Sequence, residues 1–123
     1  MTFVVFTGSR TWTDRETVLR RMQLFPRDTM IIEGGAPGLD TIAGVIADRL
    51  GLPHATIRAN WTYYGKTAGP IRNGWMLSLP VSLVVAYHEN LSQSRGTAQC
   101  VQSARKKHIP VELIETVNRP SLS

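Results

Sequence analysis

The sequence predicts a single three-layer α/β domain of the Rossmann-like kind, with a mostly parallel sheet of about five strands. Apolar runs of four or five residues alternate with helix-period segments of about a dozen, the rhythm of consecutive βαβ units. Three glycine-rich turns, Gly8-Ser9-Arg10, Gly34-Gly35-Ala36-Pro37-Gly38 and Ser94-Arg95-Gly96-Thr97, fall where strand-like runs hand over to helix-like ones. A length of 123 residues suits one domain, which at that size buries roughly two-thirds of the surface its unfolded chain exposes. The domain is expected over residues 1–117, with residues 118–123, which include Pro120 and two serines, as a flexible C-terminal tail.

The first strand runs from Phe3 to Thr7 and is apolar along its length, as a strand covered on both faces should be. Asp14 then offers an N-cap, and Val18, Met22 and Phe25 share one face of a first helix that Pro26 stops. Met30-Ile31-Ile32 is the second strand. Leu39, Ile42, Ala43, Ile46, Ala47 and Leu50 repeat at the i, i+3, i+4 spacing of a buried stripe, and Gly51 closes that helix. His54 to Ile57 is a short third strand, followed by a long irregular loop from Arg58 to Gly69. Pro70 suits the first turn of a helix, and Ile71, Trp75 and Leu79 fall on one side of it before Pro80; Trp75 and Met76 are assigned to the core. Ser82 to Ala86 makes a fourth strand. A helix from about Gly96 to Lys107 turns Ala98, Val101 and Ala104 toward the sheet, and Val111 to Ile114 is a fifth strand that Glu112 marks as an edge.

A make-up of 42% hydrophobic and 19% charged residues is that of an ordinary soluble globular protein, and no apolar run approaches the ~20 residues that span a bilayer. Met1 to Thr7 lacks the basic region and long apolar run of a secretory leader, so a cytoplasmic protein without membrane contact is expected. The one cysteine, Cys100, cannot form an internal disulfide, and His54, His88 and His108 show no metal-ligand spacing; neither a metal nor another cofactor is expected. A net charge of +5 implies attraction to anions without naming one. The basic residues are scattered, and the tight cluster Arg105-Lys106-Lys107 suits a helix C-terminus, so nucleic acid is a partner with less support than a small anionic ligand.

Ligands of open parallel sheets bind beyond the carboxyl ends of the strands, which places the chemistry on the loops after strands one, two and four. Gly8, Ser9 and Arg10 offer backbone N–H groups, a hydroxyl and a guanidinium that can pair two phosphate oxygens, although Gly-Ser is also common turn chemistry. Gly34, Gly35 and Gly38 permit close backbone approach at a helix N-terminus, a ready anion site, in a spacing that differs from the GxGxxG dinucleotide fingerprint. Asp40 either accepts from ribose hydroxyls or simply favours the positive end of its helix. Between Asn60 and Asn73, Trp61 and Tyr64 either present a face to a base or pack on the core, while Lys66 and Arg72 suit phosphates. Arg95, Gly96 and Thr97 repeat the pattern of glycine at a helix start.

Thr7-Gly8-Ser9-Arg10, Gly34-Gly35-Ala36-x-Gly38-x-Asp40, Asn60-Trp61, Tyr64-Gly65-Lys66-x-Ala68-Gly69-Pro70-x-Arg72-Asn73-x-x-Met76 and Arg95-Gly96-Thr97 together resemble the YspA-type, cpYpsA-related branch of the SLOG superfamily. That Rossmann-like group includes the DNA-processing protein DprA and the LOG phosphoribohydrolases, and the resemblance covers about residues 3–115. It implies binding of a nucleotide or nucleotide-derived small molecule, often in a homo-oligomer. Two departures matter. Pro37 stands where the family often carries a basic residue, which removes a cation and a backbone donor. Where LOG-type hydrolases place glutamates just after a Gly-Thr, this chain has Gln99 and Cys100; Arg72 corresponds to their arginine, and Glu33 and Asp40 are the acids left as catalytic candidates.

Three functions follow from these residues and the resemblance. One is a sensor or sequestering protein for a nucleotide-derived signal, such as an ADP-ribose-like one, which suits a compact phage-encoded or mobile-element protein in a bacterial cell. Another is a nucleotide phosphoribohydrolase or related N-glycosidase using Asp40 or Glu33 with Arg72. The third is DprA-like binding of single-stranded DNA. Gln99 in place of a carboxylate favours holding the ligand over cleaving it.

Overall fold

The computed structural model describes residues 1–89 and 95–115; Ser94 and the expected tail at 118–123 lie outside these. The elements are β1 (Thr2–Gly8), α1 (Arg15–Met22), β2 (Thr29–Glu33), α2 (Leu39–Leu50), β3 (His54–Thr56), α3 (Trp61–Tyr64), α4 (Ala68–Leu77), β4 (Val81–His88), α5 (Arg95–Lys106) and β5 (Val111–Glu115). All strand pairs are parallel, in the order β3-β2-β1-β4-β5. β1 lies at the centre, where its Val4-Val5-Phe6 run is buried on both faces.

Strand alternation divides the core into two layers. Val4 and Phe6, with Val85 and Tyr87 of β4, meet Val18 and Met22 of α1 and Leu39, Ala43 and Ile46 of α2. Val5, Ile32 and Val84 meet Met76 and Leu77 of α4 and Cys100 and Ala104 of α5. The chain thus runs from β1 to β3 with α1 and α2 on one face of the sheet, then continues through α4, β4, α5 and β5 with α4 and α5 on the other. The connections leaving β1 and β4 part toward opposite faces, and that divergence opens a crevice at the carboxyl ends of the two strands.

Asp14 caps α1, its carboxylate accepting the Thr17 amide at 3.3 Å. The helix stops at Met22 rather than running on to Phe25, because a residue before proline is driven from the helical region and residues 23–25 tighten into turns. Phe25 still packs, edge-on to Phe6 at 6.2 Å. Gly51 ends α2 at φ 73°. β5 is an edge strand, and its Glu112 takes a bidentate pair from Arg21 of α1 at 2.7 and 2.8 Å.

Two expectations need correction. The stretch from Arg58 to Gly69 is mostly helical: Asn60 caps α3 by accepting the Tyr63 amide at 3.0 Å, Gly65 turns the chain at φ 59°, and a 3-10 turn over Gly65–Thr67 runs straight into α4. Trp75 is 43% exposed, whereas Met76 is buried as expected. The buried face of α4 is Ala68, Gly69, Arg72, Asn73, Met76 and Leu77, rotated away from the Ile71-Trp75 stripe. Two polar side chains hold positions on that face, which an apolar pattern cannot reveal. Among the described residues no helix is long and apolar enough to cross a membrane.

Candidate ligand-binding cleft

The crevice between the ends of β1 and β4 is a cleft of about 650 Å³, within the usual range for a small-molecule site. It is lined by Thr7 to Thr11 after β1, by Ala36 and Asp40 around the start of α2, by Trp61, Lys66, Arg72 and Asn73 from the segment running through α3 into α4, and by Arg95, Gly96, Thr97 and Gln99 of α5. Among the described residues, four cations, Arg10, Lys66, Arg72 and Arg95, and one carboxylate, Asp40, line it. Trp61 lies open at the rim with the Arg10 guanidinium 5.7 Å from its ring centroid. Gly69 makes this possible, since a Cβ there would sit 3.3 Å from the indole.

Asp40, in the first turn of α2, is buried. One carboxylate oxygen, Oδ2, accepts the Ala36 amide at 3.2 Å, while Oδ1 is buried without a partner among the described residues. Burial pushes its carboxyl up to about 6, although the Ala36 amide and the charge of Arg72 pull the other way. An unpaired buried acceptor costs roughly 1–3 kcal/mol, a cost that a ligand hydroxyl or amine would relieve.

Arg72 is held from two sides. Its Nη1 donates to the Gly34 carbonyl at 2.7 Å and its Nε to Asn73 Oδ1 at 2.9 Å. Asn73 in turn donates to Gln99 Oε1 at 2.7 Å, and Gln99 to Ser103 at 2.9 Å. Gln99 therefore ties α5 to α4 and fixes the arginine's support; its amide is part of the frame. Cys100 is buried beside it, and burial pushes its thiol up to about 11, far from a reactive thiolate.

The glycine loops differ from the open backbone cradles expected of them. In the second loop the Gly35 amide donates to Glu33 at 2.5 Å, the Ala36 amide to Asp40, and the Leu39 amide to the Ser9 carbonyl at 3.1 Å; Pro37 has none to give. Gly38, at φ 79°, presses on the Arg10 backbone, where a Cβ would come within 2.5 Å, and it lines a separate open groove beside Trp12. Gly34 and Gly35 line a smaller side cavity of about 230 Å³ with Arg10, Arg58 and Arg72. In the first loop Gly8 lets β1 pass within contact of Leu39 and the Tyr87 carbonyl. Ser9 Oγ donates to Glu89 at 2.6 Å and Thr11 Oγ1 at 3.3 Å, so these hydroxyls already hold an anion. Burial works to raise the Glu89 carboxyl, but those hydroxyls and its own backbone outweigh it and hold it below the ordinary carboxylate value. Side chains, more than free amides, make the cleft cationic.

Of the residues singled out from sequence, Gly8, Ser9, Arg10, Asp40, Trp61, Lys66, Arg72, Asn73, Arg95, Gly96 and Thr97 converge on the cleft. Tyr64 does not; it packs outside on Tyr63 at 4.7 Å and edge-on to Trp75 at 6.0 Å. Glu33 is buried elsewhere, its carboxylate taken by the Gly35 amide, Thr56 and His54 at 2.7 Å. Sequence reasoning missed Arg58, Thr11 and Glu89. Applying the carboxyl-end rule to β3 as well would have found Arg58. Among the described residues no three His, Cys, Asp or Glu side chains group as metal ligands.

A family model described as the YspA, cpYpsA-related SLOG family matches residues 2–64, more than half of the chain. The Gene 61 protein of Mycobacterium phage D29 is 34% identical over 117 residues, covering 88% of this chain and 92% of that one. The X-ray structure of DNA processing protein A (DprA) from Streptococcus pneumoniae shares the fold at a TM-score of 0.79 and 19% identity, covering 95% of this chain. This chain spans only 51% of that one.

Proposed function

The chain belongs to the YspA, cpYpsA-related SLOG family, and from that premise we propose that its cleft binds a nucleotide-derived small molecule and holds it without turnover, as a sensor or sequestering protein. The observation that carries this reading is the cleft's make-up. Arginines and a lysine suit phosphate, Trp61 offers a face to a base, and Asp40 presents a buried oxygen with no partner to ribose hydroxyls. Holding rather than cleaving is supported by Gln99 and Glu33. Gln99 is a structural amide, and Glu33 is engaged away from the cleft, which leaves Asp40 as the acid lining it. The phage relative fits a protein that soaks up a signal inside a bacterial cell, an ADP-ribose-like one being the class the family resemblance implies. Self-association, also implied by the family, is part of the same reading.

Mass spectrometry of small molecules released from the purified protein tests the proposal. A nucleotide-sized compound at about one per chain, unchanged after prolonged incubation, is expected. Free base accumulating at enzyme-like rates would replace the binding reading with an N-glycosidase acting through Asp40. A second reading, single-stranded DNA, is favoured by the exposed aromatics Tyr63, Tyr64 and Trp75 outside the cleft and by the fold shared with a DNA processing protein. It requires affinity for a short oligonucleotide that falls steeply with salt.

A further inference from the structure

The side cavity next to the cleft gathers three guanidinium groups, Arg10, Arg58 and Arg72, and among the described residues no carboxylate lines it. Among the described residues none of the three is in an ion pair. The loop beneath them is shaped to admit them. A Cβ on Gly34 would fall 2.1 Å from Arg72 Nη1, and one on Gly35 would fall 2.8 Å from Arg58 Nη1. Carbonyls then set the two guanidiniums in place, Gly34 accepting from Arg72 at 2.7 Å and Gly35 from Arg58 at 3.3 Å. Each arginine has five N–H donors, so these bonds leave most of the fork unused. Like charges collected at one spot repel, and an anion between them removes that cost while taking bidentate bonds.

At about 230 Å³ the cavity is smaller than a usual whole-ligand site, and it shares Arg10, Ala36, Trp61 and Arg72 with the main cleft. It is an annex to that cleft. We propose that the annex is an anion subsite of its own and that the ligand is a nucleotide carrying a diphosphate, whose nucleoside part lies in the main cleft while its second phosphate group is held by Arg58 together with Arg10 and Arg72. This rests on the nucleotide reading above and narrows it to a ligand class. Arg58 lines the annex and not the main cleft, so it separates the second anionic group from the first.

The test is calorimetric titration of the full chain with the 5′-monophosphates and 5′-diphosphates of adenosine, guanosine, cytidine and uridine, for the native protein, Arg58→Ala and Arg58→Lys. For the preferred base the diphosphate is expected to bind at least tenfold tighter than the monophosphate. Arg58→Ala should erase that preference and leave monophosphate affinity unchanged, and Arg58→Lys, which keeps the charge but not the fork, should restore part of it. Equal affinity for mono- and diphosphate, or an Arg58→Ala protein that keeps the preference or weakens both alike, overturns the subsite while leaving the nucleotide reading standing. Binding of no nucleotide of either kind overturns both.

Discussion

Asp40 sets binding against stability in a single side chain. Its carboxyl is raised to about 6 chiefly by burial, so the folded protein keeps a proton that the unfolded chain releases between about pH 4 and 6. Ionised Asp40 is therefore a burden on the fold above that interval. Asp40→Asn should raise stability by roughly 1–3 kcal/mol at pH 8, with the gain fading below about pH 4, while weakening ligand binding; chemical denaturation at the two pH values measures the first effect. Glycines divide just as sharply. Gly34→Ala drives a methyl into Arg72 and should abolish binding, whereas Gly96, with nothing within 4 Å of a Cβ, should accept alanine with unchanged or slightly higher stability. If Gly96→Ala nevertheless loses affinity, the ligand itself approaches the start of α5, and a melting curve beside a titration separates the outcomes. At this scale the sequence singled out most of the residues that line the cleft. It did not reveal that Ser9 and Glu33 spend their polar atoms on neighbours far along the chain.

The element that departs most from expectation, α4, is also the one that builds the cleft wall. Its buried face includes Arg72 and Asn73, and apolar periodicity therefore pointed to Ile71 and Trp75 instead. Polar residues sit there because Asn73 bridges to Gln99 of α5 while accepting from Arg72, a network whose members lie 26 residues apart. Asn73→Ala removes both links and should destabilise the fold by about 2–3 kcal/mol by urea denaturation, with a further loss of affinity as Arg72 is released. Elements with plain signatures were legible: α1 from Asp14, α2 from its stripe and Gly51, β1 from its doubly covered apolar run. The helical turns between Asn60 and Thr67 were obscured by glycine and mixed composition, although Asn60 is a recognisable cap.

For the molecule as a whole, the titrating groups pull in opposite directions. Asp40 lowers stability as the pH rises through about 4 to 6. Glu112, held down by the Arg21 hydrogen bond, and Glu89 contribute stability that is present above the ordinary carboxylate range and lost as the pH falls below it. The ligand-free protein should therefore melt highest at about pH 5, and a bound ligand that donates to Asp40 should move the optimum toward neutrality. The parallel sheet was legible because its rhythm needs no long-range information, and the strand order then placed the loops of β1 and β4 about one crevice.

Titration of native protein and the Arg10→Ala/Lys66→Ala variant with nucleoside 5′-phosphates shows whether this crevice binds a nucleotide through its cationic side chains. Both residues are exposed, so the variant should melt as the native protein does. Binding of at least one nucleotide at one per chain is expected, with an affinity at least tenfold weaker in the variant. Native protein that is folded yet binds none, or a variant that binds equally well, would contradict nucleotide binding through these side chains.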